Sequence, residues 1–85
     1  MAASQLRSIT ATASYVALPD LDCSAVSILN STGATLSIEM AGDSAANQEI
    51  VIPTGSSVVI SVVNSAKEIN IKSASGTTGV YIVTQ

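Results

Sequence analysis

Within four residues the chain carries two carboxylates and a thiol, Asp20, Asp22 and Cys23, directly after Pro19. Paired acids in a loop hold Ca²⁺ when carbonyls and further acids converge on the same point. No third acid is close in sequence and no glycine lies where the loop would wrap an ion, so a solvated, turn-capping role suits Asp20 and Asp22 better. Cys23 has no basic neighbour in sequence to draw off its proton, which makes it a small apolar side chain at a strand entrance rather than a nucleophile. Asp43 and Glu49 could face one another as general acid and base, but six acids scattered through 85 residues give such pairs by chance. An isopeptide crosslink from Lys67 or Lys72 to an Asn would need a buried acid beside the lysine. None of the fourteen Ser lies in a Gly-x-Ser-x-Gly elbow, and the Gly76-Thr77-Thr78-Gly79 loop lacks the lysine and the following helix of a phosphate cradle. Asn30-Ser31-Thr32 matches a glycosylation acceptor and reads better as a turn.

Composition narrows the classes further. There is no His and a single Cys, so a His proton shuttle, a His or thiolate metal site and an internal disulfide all lack their residues; no cofactor or metal and no enzymatic activity are expected. Arg7, Lys67 and Lys72 are the only bases against six acids, giving a net charge of -3 and no basic surface for nucleic acid. The longest strongly apolar stretch, Val58-Val59-Ile60-Ser61-Val62-Val63, is far short of the ~20 residues a membrane helix needs. Met1 to Arg7 has no apolar run of the kind a signal peptide carries, so no secretion is expected.

The elements that must position these residues are strands. Period-two alternation begins at Tyr15 and predicts seven short strands over 15–85, separated by turn residues at 19–20, 30–33, 53–55, 64–67 and 73–79. The clearest local unit, residues 25–40, predicts a hairpin around Asn30-Ser31-Thr32-Gly33, with Leu36, Ile38 and Met40 on one face. Pro53-Thr54-Gly55 predicts a tight turn, and Ala41 to Asn47 a loop. The pattern is that of an all-β domain, a small antiparallel β-sandwich or jelly-roll-like barrel. Residues 1–14 have little side-chain volume and read as an extended N-terminal arm, either loosely ordered or laid across a neighbouring subunit, that serves assembly more than folding.

A small domain with no disulfide or metal, and with no Phe or Trp for its core, is pushed towards oligomerisation. Ile50-Val51-Ile52 and Val58 to Val63 are apolar on both faces, whereas a sandwich strand normally shows water one of them. Either the arm covers the second face or a subunit interface does. Leu6, Ile9, Val51, Val59 and Val63 are the candidate interface residues, and a homotrimer is the expected state.

Three stretches carry a resemblance: residues 23–38, from Cys23 through Asn30-Ser31-Thr32-Gly33 to Ile38; Ile52-Pro53-Thr54-Gly55-Ser56-Ser57-Val58-Val59-Ile60; and residues 69–82, Ile69-Asn70-Ile71-Lys72 through Thr78-Gly79-Val80-Tyr81-Ile82. Strand, Asn turn, strand, Gly-Ser turn, Val/Ile strand, then an Ile-x-Ile-Lys strand and a Thr-Gly-Val-Tyr hairpin resembles the small β-sandwich virion proteins of tailed bacteriophages. The resemblance implies a structural protein with no catalytic residues, most simply a capsid cement or decoration protein on the virion surface that holds the major capsid protein lattice. A tail, neck or head-fibre component is the alternative within that group. A carbohydrate-binding module is the alternative outside it, with Tyr15 and Tyr81 as the only aromatics to stack on a sugar.

Overall fold

The computed structural model describes residues 4–40, 49–61, 63–73, 75 and 78–85. Its elements are β1 (Gln5–Ile9), β2 (Val16–Ala17), β3 (Ala25–Asn30), β4 (Leu36–Met40), β5 (Glu49–Ile52), β6 (Ser57–Ser61), a 3₁₀ turn (Ala66–Glu68), β7 (Ile69–Lys72) and β8 (Val80–Thr84). Two four-stranded antiparallel sheets result, in the orders β1-β8-β3-β6 and β2-β7-β4-β5.

The pairing is nested. β4 pairs with β5, β3 with β6, β2 with β7 and β1 with β8, as if one long hairpin turning between β4 and β5 had been rolled up. Rolling adds the contacts β3 to β8 and β4 to β7, and closes the two sheets over one core. This is the jelly-roll arrangement of eight strands.

Each strand alternates because one face meets the other sheet. Val26, Ile28, Val80 and Ile82 point inward from the first sheet, Leu36, Ile38, Ile69 and Ile71 from the second, and all are buried. The branched side chains suit a pleated surface and lose little rotamer freedom there, which lets a core form without large aromatics. Thr84, in the same inward row as Val26, is fully buried, and its hydroxyl finds no hydrogen-bond partner among the described residues.

Four expectations change. The strands number eight, because part of the supposed arm, Gln5–Ile9, is the edge strand of the molecule's own first sheet. Its backbone groups pair with β8, Ile9 packs against the core, and Ala11 beyond it is fully buried. Residues 25–40 do not form a hairpin, since β3 and β4 belong to different sheets and the chain arches across the core between them. Asn30 makes this possible: its buried amide donates to the carbonyls of Ala34 and Ile52, at 2.8 and 3.1 Å, and its carbonyl accepts from the Thr32 backbone and hydroxyl. β7 and β8 likewise lie in different sheets, so Thr78-Gly79-Val80-Tyr81 is no hairpin either. Val63 is 5% exposed and belongs to the core, so it is withdrawn from the interface residues. The Pro53-Thr54-Gly55 turn forms as expected, with Gly55 at φ +85°.

Candidate functional site

The register of the first sheet sorts its outward residues into rows. One row runs Leu6, Val83, Ser27, Val59 from β1 to β6; the next runs Ser8, Tyr81, Leu29, Ser57. Of the seven exposed large apolar side chains among the described residues, five lie in these two rows, Leu6 and Val59 being the most open at 66% and 64%. Between them stand serines. The only charged residue in the four strands is Arg7, which occupies the inward register row beside Ile82 and reaches solvent because β1 is an edge. The outward face of this sheet therefore carries apolar side chains and serines and no charge.

The second sheet presents the opposite chemistry. Its outward rows place Lys72 beside Ser37 and Val51, and Asn70 beside Glu39 and Glu49. Tyr15, just ahead of β2, spans this face and donates its hydroxyl to Glu49, while the Lys72 ammonium sits 4.7 Å from the centre of its ring. Asn70 donates to Glu39 at 3.1 Å. Desolvation, the hydrogen bond to Glu49 and the negative charges of Glu49 and Glu39 push the Tyr15 phenol up to about 12, against a weaker opposing hydrogen bond with Ser37. Tyr15 is thus engaged by its own molecule and does not stand free to stack on a ring.

The polar residues singled out in the sequence are placed as structural groups. Asp20 accepts from the Ser65 hydroxyl at 2.8 Å and lies 3.7 Å from Lys67, both charges well exposed. Ser65 and Glu68 form a capping box around the 3₁₀ turn, Glu68 accepting from the backbone of Ser65 and Asn64. Burial pushes the Cys23 thiol up, and the carboxylates of Glu68 and Asp22 act in the same direction against a backbone hydrogen bond from Ala66, which favours the protonated form of the sulfur. Asp43, Gly76 and Thr77 lie outside the described residues.

On the side of the sandwich where β5 and β6 are the edges, a cavity of about 240 Å³ opens between the sheets, lined by Ile38, Glu39, Met40, Ile50 and Ile60. Ile50 shares its register row with buried Ile38 and Ile71, yet is 50% exposed because the sandwich is open there. The opposite side is closed by the crossing from β1 to β2, where Ala11 is buried and Thr12 accepts from the Ser73 backbone at 2.8 Å.

Of the candidate interface residues, Leu6 and Val59 fall together on the apolar face, Val51 lies on the other sheet's outward face, Ile9 is half-buried and Val63 is internal. Leu29, Tyr81 and Val83 belong to the face and were missed, because their strands alternate like any half-buried strand and only the register shows that their outward residues align. Set beside known proteins, the chain finds no counterpart: no family model, no curated protein and no solved structure matches it.

Proposed function

We propose that the protein is a non-enzymatic virion structural protein, a capsid cement or decoration subunit that docks on the assembled shell of a major capsid protein through the outward face of its first sheet. The observation that carries this reading is the gathering of Leu6, Leu29, Val59, Tyr81 and Val83 on one uncharged sheet face. Apolar side chains scattered singly need no explanation; a contiguous patch marks an interaction surface. Jelly rolls serve in viral capsids and in lectins, so the fold admits the role without assigning it.

Four strands of five or six residues make a small docking face. A weak contact suffices where many copies bind one shell, because each bound copy stabilises the assembled state by mass action.

The test is co-sedimentation with expanded capsids that lack the protein, across a salt series and with or without chelator. Saturable binding that persists in salt and chelator and raises the temperature of capsid rupture is expected, since an uncharged face has no ion pairs to screen. Leu29→Asp should weaken binding at least about tenfold by burying a charge in the contact. No binding to capsids, with retention on a polysaccharide column that Tyr81→Ala abolishes, would move the reading to a sugar-binding face.

A further inference from the structure

Four strands end the two sheets, and three of them are blunted. β2 has only two residues, β5 begins with Glu49, and β1 carries Arg7 at its centre, so a second β1 paired antiparallel about that residue would set two guanidinium groups opposite one another. Short strands and charges are how sheet edges avoid pairing with other chains. β6 has neither device. It reads Ser57-Val58-Val59-Ile60-Ser61, without charge, proline or glycine.

The direction of its free backbone groups follows from its neighbours. Asn30 of β3 donates its N–H to Ser56, towards β6, while Ser31 and Ala25 donate towards the β8 side. Even-numbered residues of β3 therefore bond β6. Their partners across the register are Val58 and Ile60, which leaves the N–H and C=O groups of Ser57, Val59 and Ser61 directed out of the sheet.

We infer that β6 is the pairing edge for a second copy of this chain, joined antiparallel about a two-fold axis at Val59. The strand is nearly palindromic: in this register Val59 meets Val59, Val58 meets Ile60 and Ser57 meets Ser61, so each residue faces its own kind and the outward-directed groups of Ser57, Val59 and Ser61 satisfy one another. An isologous contact of this type requires such self-complementarity. The open side of the sandwich lies at the same edge, and the pairing brings Val58 and Ile60 of the second copy towards the mouth of the cavity and half-exposed Ile50. The two first sheets become one eight-stranded sheet whose outward face has twice the area of one. The inference uses the edge strands and the cavity and does not depend on the virion reading.

Sedimentation equilibrium at micromolar concentration tests it. The expected mass is twice that of the chain. Val59→Lys and Val59→Glu, each at a side chain 64% exposed in one molecule, should leave the β-sheet circular dichroism unchanged and halve the mass, because each sets like charges across the axis. Mixing the two variants should restore the doubled mass, since Lys then faces Glu. A monomeric wild-type protein, a mass three times that of the chain, or a dimer that Val59→Lys leaves intact would each overturn the pairing. Restored mass in the mixture excludes misfolding as the cause of the loss. Capsid binding by Leu29→Asp is read separately, so the docking face and the pairing edge can fail independently.

Discussion

Two residues show how far a side chain's role depends on partners distant in sequence. Asn30 organises the arch between the sheets by bonding Ala34 nearby and Ile52 on the far side of the core, and the turn signal around it discloses only the first of these. Tyr15 is tied to Glu49, 34 residues away, a pairing that no spacing rule suggests. Its phenol has a measurable consequence. The unfolded chain releases the proton near pH 10 while the folded one keeps it to about 12, so the folded state binds more protons between those values. The associated stabilisation is complete below pH 10 and is lost as the pH rises through 12. Urea unfolding between pH 10 and 12 should therefore show a steeper decline for the wild-type protein than for Tyr15→Phe, and the phenolic absorbance should titrate at about 12 in the folded state. Parallel declines would mean that Tyr15 ionises alike in both states.

At the level of elements, the seven strands from Tyr15 onward were legible because burial of one face imposes period two, and that signal is local. Which sheet a strand joins is not. A hairpin and an arch bury the same alternate residues, so Leu36, Ile38 and Met40 read identically whether β4 pairs with β3 or packs across from it. The 3₁₀ turn had a readable cue in Ser65-Ala66-Lys67-Glu68, where the serine and the glutamate three residues on satisfy each other's backbone donors. β1 had none. Gln-Leu-Arg-Ser-Ile does not alternate, since Arg7 takes an inward position at an edge, and the strand is held by backbone pairing to β8. Deleting residues 1–10 should consequently do more than remove an accessory arm. It strips the ladder from β8, exposes the flank of Val80 and Ile82, and removes the packing of Ile9, a loss of at least about 3 kcal/mol. A denaturant midpoint equal to that of the full chain would show that β1 contributes only assembly contacts.

For the whole molecule, nested pairing means that sequence separation grows outward from the β4 and β5 turn. β4 and β5 are joined by eight residues, whereas β1 and β8 bring Gln5 opposite Thr84. The outermost pair closes the longest loop, so its closure entropy is the largest of the four nested pairs, although the cost grows only slowly with length. Gln5 and Thr84 are also neighbours on one sheet, with paired Cα atoms about 5 Å apart. Joining Ser4 to Gln85 through a short Asn-Gly turn would continue the ladder as a hairpin and remove that loop from the unfolded ensemble. For roughly 80 residues the ceiling on the gain is about 4 kcal/mol, reduced by whatever structure the unfolded chain retains. The cyclised protein should melt well above the linear one, with most of the difference in a faster folding rate, because closing this long loop is then no longer part of the climb to the transition state. A cyclic form with an unchanged folding rate and a slower unfolding rate would place β1 and β8 pairing late, after the transition state, and would show that the core between β3, β4, β6 and β7 alone sets the rate.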